Sequence, residues 1–137
     1  MLGTKAYPAA GLIGSTIVVA DGSNASGSVT GDTEGYNATT NTWSDLAADP
    51  TAREGSCSGA IGSLFYDAGG YINNGGAATT INESFNLSAD KWTTTLAAIP
   101  QGILFPGSAV YDGQLYCFGG ESTWLGSPIS NVQIYQP

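Results

Sequence analysis

One spacing governs what this sequence can fold into. Asn41-Thr42-Trp43 returns as Asp90-Lys91-Trp92, 49 residues later. Leu46 and Pro50 return as Leu96 and Pro100, each 50 residues on. Tyr36-Asn37 returns as Phe85-Asn86 and again as Tyr135-Gln136, at spacings of 49 and 50. Upstream of each lies Asp21-Gly22, Gly69-Gly70 or Gly119-Gly120, and the second glycines are 48 and then 50 residues apart. Four landmarks keep one order and one period. A period of this size marks stacked repeats, each of which buries its faces only against its neighbours.

Within a unit the residues read as short strands. In the first, Ala10–Ile13 is followed by the turn Gly14-Ser15, then Thr16–Ala20, a loop from Ser23 to Asp32, Thr33–Tyr36 and Asn41–Leu46. The second unit gives Cys57–Ile61, Leu64–Ala68, Thr80–Phe85 and Lys91–Leu96; the third gives Ser108–Tyr111, Gln114–Phe118 and Asn131–Tyr135. Gly62-Ser63 and Asp112-Gly113 suit two-residue hairpin loops, which need positive φ. No helical periodicity is sustained, so the expectation is an all-β protein.

Composition narrows the function. Charged residues are 10% of the chain, against a globular norm of about 25%. Three basic residues (Lys5, Arg53 and Lys91) face eleven acids, a net charge of −8. Such a surface repels nucleic acid and anionic membrane. There is no histidine, which removes the commonest general base and transition-metal ligand and excludes Ser-His-Asp and Cys-His catalysis. The apolar stretch Leu12–Ala20 is too short to span a bilayer, and no basic segment leading into an apolar one is read as a secretory leader. The acids show no pairing of the kind a glycosidase needs and no calcium-loop motif, so no cofactor or metal is expected.

The landmarks resemble the kelch repeat, in which a double glycine after the second strand is followed by a Tyr and then a Trp. Gly69-Gly70 and Gly119-Gly120 match the double glycine, while the first unit has Asp21 ahead of Gly22. Tyr36 and Tyr135 match the Tyr, with Phe85 in the second unit; Trp43 and Trp92 match the Trp. The resemblance covers roughly residues 9–137 and implies β-propeller blades of four antiparallel strands, three per chain, at approximately 9–55, 56–106 and 107–137. It also implies aromatic side chains packed between blades. Propellers close with about four to eight blades, so three imply either a portion of a longer chain or a homodimer closing one six-bladed ring. In the dimer an N-terminal segment supplies the last strand of the third blade.

The resemblance further implies a noncatalytic module that binds a protein or other ligand through the loops at one end of the ring. The alternatives are a carbohydrate-active or sugar-binding propeller with its site at the ring mouth, and a structural or engineered half-propeller with no ligand of its own. Candidate contacts are Trp124, Tyr71, Asn73, Asn74, Arg53, Phe105 and Glu121. All but Glu121 also have a structural reading: Trp124 and Tyr71 pack on a blade, Asn73 and Asn74 form turns, Phe105 packs between blades, and Arg53 orders loops by hydrogen bonding. Cys57 and Cys117 are read as buried free thiols. Copper oxidases with a kelch-like propeller need histidine ligands, which this chain lacks. Sequons at Asn24, Asn37, Asn82 and Asn86 point to a secretory or extracellular setting.

Overall fold

In the computed structural model, which describes residues 1–73 and 76–137, the chain is all-β, with eleven strands in three antiparallel sheets. Blade 1 is β1 (Ala9–Ile13), β2 (Thr16–Ala20), β3 (Thr33–Asn37) and β4 (Thr42–Leu46). Blade 2 is β5 (Cys57–Ile61), β6 (Leu64–Ala68), β7 (Asn82–Asn86) and β8 (Lys91–Thr93). Blade 3 is β9 (Gly107–Tyr111), β10 (Gln114–Phe118) and β11 (Val132–Tyr135). Every sheet is a meander in chain order. The first strands of successive blades are neighbours, β1 beside β5 and β5 beside β9. That is radial order about an axis rather than the facing layers of a sandwich.

The repeat landmarks acquire physical meanings here. Tyr36 stands opposite Trp43, and Phe85 opposite Trp92, as cross-strand partners. Their ring centroids are 4.9 and 5.3 Å apart. The spacing from Tyr to Trp is thus the register of the β3–β4 and β7–β8 hairpins, a favourable aromatic pairing on one sheet face. Asn37 and Asn86 turn those hairpins: the Asn37 Oδ1 accepts from the Thr39 and Thr40 amides and the Asn86 Oδ1 from the Ser88 and Ala89 amides. Strand β8 stops at Thr93, short of the Leu96 expected from the repeat, while Leu96 still packs at the edge of the core between blades 2 and 3.

Two apolar clusters join the blades. Phe65, Phe85 and Trp92 of blade 2 pack on Ala9, Val18 and Ala20 of blade 1, and Trp92 Nε1 donates to the Ala47 carbonyl at 2.8 Å. Gly11 lies directly under this ring cluster: a Cβ there would come within 2.7 Å of Phe65, so the residue must be small. Between blades 2 and 3, Tyr66 and Ala68 meet Ile99, Ile103, Leu115 and Cys117. Burying each large apolar side chain contributes about 1.5–3 kcal/mol. The far side of blade 3 has no such cover: Phe118, Val132 and Ile134 are 45%, 55% and 53% exposed.

The cysteines correct the sequence reading. Cys57 on β5 and Cys117 on β10 are joined by a disulfide, with Cα atoms 5.8 Å apart, and no free cysteine remains. They are 60 residues apart in the chain, and only the stacking of blade 3 on blade 2 brings them together.

Candidate functional site

The two kinds of loop named by the sequence, those before the first strand and those after the second strand of a blade, are bonded to each other. Ala6 bridges Ser23, Glu54 bridges Tyr71, and Leu104 bridges Glu121, one such bridge in each blade. Ser23, Tyr71 and Glu121 bridge onward to Val29, Ala78 and Pro128. A second set of bonds runs between blades. The Gly55 amide donates to the Tyr7 carbonyl at 3.0 Å, and the Phe105 amide to the Gly55 carbonyl at 2.7 Å. Tyr7, Gly55 and Phe105 occupy one repeat position and all have positive φ, 54°, 65° and 50°. A glycine satisfies that φ without cost. Here it does more, because the Phe105 ring occupies the space a Cβ on Gly55 would take.

On this scaffold four aromatic rings form a continuous group. Tyr7 and Phe105 have centroids 5.1 Å apart, Phe105 and Trp124 5.5 Å, and Trp124 and Tyr71 5.2 Å. Tyr7, Phe105 and Trp124 are 57%, 36% and 39% exposed. Trp124 is held by a backbone bond from its amide to the Gly76 carbonyl at 2.6 Å and by the Ala77–Thr123 bridge. Asn73 extends the group, its Oδ1 accepting from the Tyr71 hydroxyl at 3.1 Å. Glu121 is part-exposed and holds the loop base by pairing with Leu104. The structure therefore gathers Tyr71, Asn73, Phe105 and Trp124, and adds Tyr7; Asn74 lies outside the described residues. Clefts of about 190, 370 and 520 Å³ lie elsewhere on the surface, and none is lined by these rings.

Arg53 belongs to a different place, and the reading of it as a ligand anchor is corrected. Its side chain is fully buried. Nε donates to the Thr51 carbonyl at 3.0 Å and Nη1 to the Ile81 carbonyl at 3.2 Å. Nη2 pairs with Glu83 and, at 3.3 Å, with Asp49. Thr51 Oγ1 also donates to Glu83, at 3.1 Å. The same arrangement recurs at each blade with altered chemistry. In blade 1, Lys5 takes the place of Arg53 and lies 4.0 Å from Glu34, both side chains enclosed. In blade 3, Ile103 replaces the cation and Gln133 replaces the acid; Gln133 exchanges hydrogen bonds with the Gln101 backbone instead. Where the cation is absent, so is the acid.

Around Arg53 sit three more carboxylates. Asp21, Asp49 and Asp67 are at most 4% exposed, and each has an oxygen within 4.8 Å of one on the others. Burial raises all three carboxyls. It pushes Asp21 up to about 12, helped by the neighbouring Asp67 charge, and it outweighs the lowering effect of Arg53 on Asp49 and Asp67. Burial disfavours uncompensated negative charge at this enclosed site.

Architecture and repeat chemistry together define the class: an all-β chain built of propeller blades carrying kelch-like repeats. Similarity to known proteins agrees. The chain is 30% identical over 104 residues to mouse (Mus musculus) Kelch-like protein 23, and 28% identical over 104 residues to the human (Homo sapiens) protein of that name. The match takes in 76% of this chain and spans 17% of the length of those relatives. A solved structure described as "Structure of YjhT" superposes with a TM-score of 0.85 at 18% identity, over 98% of this chain and 44% of that one. No family model matches.

Proposed function

We propose that this chain is a noncatalytic binding module whose contact surface is the aromatic group Tyr7, Tyr71, Phe105 and Trp124, with Asn73 at its margin. The observation that carries the reading is the continuity of these partly exposed rings on a face braced by backbone bonds. Aromatic side chains so held give large contact area at small entropic cost, and Trp and Tyr dominate binding hot spots. The clustered carboxylates, which the enzyme alternative would need in contact with a substrate, are enclosed instead. The test is retention on peptide and glycan arrays, comparing the wild-type chain with Trp124→Ala. The expected result is specific retention that falls at least tenfold in the variant, with no product released. Equal retention by Trp124→Ala, or turnover of a retained glycan, overturns the proposal.

The uncovered face of blade 3 favours a companion reading: a second copy supplies the next blade, and two copies close a six-bladed ring. Its supports are Phe118, Val132 and Ile134 on that face, the half-exposed Tyr36–Trp43 pair on the opposite flank of blade 1, and the 44% share of the solved neighbour that three blades span. Light scattering is expected to give twice the chain mass for the wild type and a single mass for Phe118→Glu. A monomeric wild type refutes it. A disulfide in the core and the exposed sequon Asn24 fit an oxidising, secretory setting.

A further inference from the structure

The contact between blades 1 and 2 differs from that between blades 2 and 3 at one coherent set of positions. At the latter, the repeat places Ile99, Ile103, Gly69 and Cys117 together in an apolar junction. A Cβ on Gly69 would meet Ile103 and Ile99 side-chain atoms at 2.7 and 3.3 Å, and Ile99, Ile103 and Cys117 share one cluster. The matching residues one blade earlier are Asp49, Arg53, Asp21 and Asp67. Asp21 stands where the first glycine of the doublet belongs. Four small or apolar positions have become ionisable at one junction.

The charges at that junction do not balance. Arg53 is committed to Glu83, with which it forms the closest ion pair, and to two backbone carbonyls. Asp49 is held by the Thr51 amide at 2.8 Å and by Nη2 at 3.3 Å, whereas Asp21 has only the flank of the same guanidinium, with Nε 3.9 Å away. Both oxygens of Asp21 and both oxygens of Asp67 are enclosed without a hydrogen-bond partner. The Ser56 hydroxyl, an influence on Asp67, is likewise enclosed and unpartnered. Buried carboxylates left in this state are among the most costly arrangements a fold can hold. Convergent, otherwise unused oxygens are the ligand set of a hard cation.

We propose that Asp21, Asp49 and Asp67 form a binding site for a divalent hard cation of the Ca²⁺ type, closed by the junction of blades 1 and 2. Asp21 follows β2, Asp49 lies in the connection between blades, and Asp67 lies on β6, so one ion ties three separate segments together. Ca²⁺ fits better than Mg²⁺, because Mg²⁺ keeps its water shell and this junction is enclosed. The ion is structural: no substrate reaches it, and it locks the connection that leads into Gly55 and the aromatic face.

The test uses the full chain freed of metal by EDTA, with Ca²⁺ alone as the probe. Equilibrium dialysis is expected to find one tightly held Ca²⁺ per chain. Thermal melts should rise by about 9 °C at Ca²⁺ a hundredfold above Kd, with a smaller rise in equal Mg²⁺. Asp67→Asn should lose both the bound ion and the thermal response, while Asp45→Asn, an exposed acid, keeps both. A wild-type chain that binds no Ca²⁺ and melts identically in EDTA and Ca²⁺ overturns the proposal, since protons alone then neutralise the carboxylates. Retention of Ca²⁺ by folded Asp67→Asn overturns it as well.

Discussion

Replacing Arg53 by Met, with and without Glu83→Gln, probes the rule that cation and acid come and go together between blades. Met fills the volume of the Arg stem but removes the donors to Thr51 and Ile81 and the partner of Glu83 and Asp49. Leaving buried carboxylates without their cation costs about 3–5 kcal/mol. For a chain of 137 residues, an unfolding entropy near 2.1 cal/mol/K per residue converts this to a fall in Tm of roughly 10–17 °C. Glu83→Gln alone leaves the guanidinium with Asp49 and two backbone carbonyls and is expected to cost about 1–3 kcal/mol. The double variant puts an apolar and an amide side chain at the positions that Ile103 and Gln133 occupy in blade 3, where Gln133 bonds the Gln101 backbone, so it should recover about 2 kcal/mol relative to the sum of the single losses. Urea denaturation of the four proteins gives the coupling directly. If the two losses add within about 0.5 kcal/mol, the pair is not a unit and the internal comparison between blades has no energetic content.

Three further outcomes are expected. Cys57→Ser with Cys117→Ser should lower stability by about 4 kcal/mol, the closure entropy of a 60-residue loop; titration of thiols in the unreduced, unfolded wild type should find none, and two reactive thiols would contradict the bridge. Trp92→Ala, at 6% exposure between two blades, should cost about 3–5 kcal/mol in urea, and the half-exposed Trp43→Ala well under half of that in dilute monomer; equal losses would contradict the unequal burial of the two flanks. Gly69→Ala should cost more than Gly14→Ala. Both have positive φ, but a Cβ at 69 meets the Ile103 carbonyl at 2.8 Å while position 14 opens to solvent, and a reversed order by thermal melting would count against the close approach.

The blades were legible in the sequence because their signals are local. Strands Thr16–Ala20, Cys57–Ile61, Leu64–Ala68 and Gln114–Phe118 have the bounds expected from β-branched and aromatic runs between turns. The Tyr–Trp spacing survives as hairpin register. Long-range consequences were harder to read. Nothing local says that positions 57 and 117 face each other, since that follows only from how blade 3 stacks on blade 2. Tyr7 escaped notice because it lies ahead of the first strand, although its spacing to Gly55 and Phe105 matches the repeat. Arg53 looked like a loop residue because loops are usually solvated; here the connection folds inward. The signal in the sequence is a matched change of charge at two repeat positions: Lys5 and Glu34, Arg53 and Glu83, then Ile103 and Gln133. Asn82 shows the reverse error: it heads a sequon, yet its amide is enclosed and donates to the Ala97 carbonyl at 3.1 Å, so no glycan can be carried there in the folded chain.

The bonds from Gly55 to Tyr7 and from Phe105 to Gly55 all run in one direction. A single chain thus presents a donor at its Tyr7 end and an acceptor at its Phe105 end, like the two ends of a zipper. Copies that join through these ends must do so head to tail. Such contacts terminate only where the accumulated rotation makes a full circle, and otherwise propagate as filaments. For copies joined in this way, the angle between adjacent blades would decide between a finite particle and an endless one, and a substitution that tilts one blade would convert the first into the second.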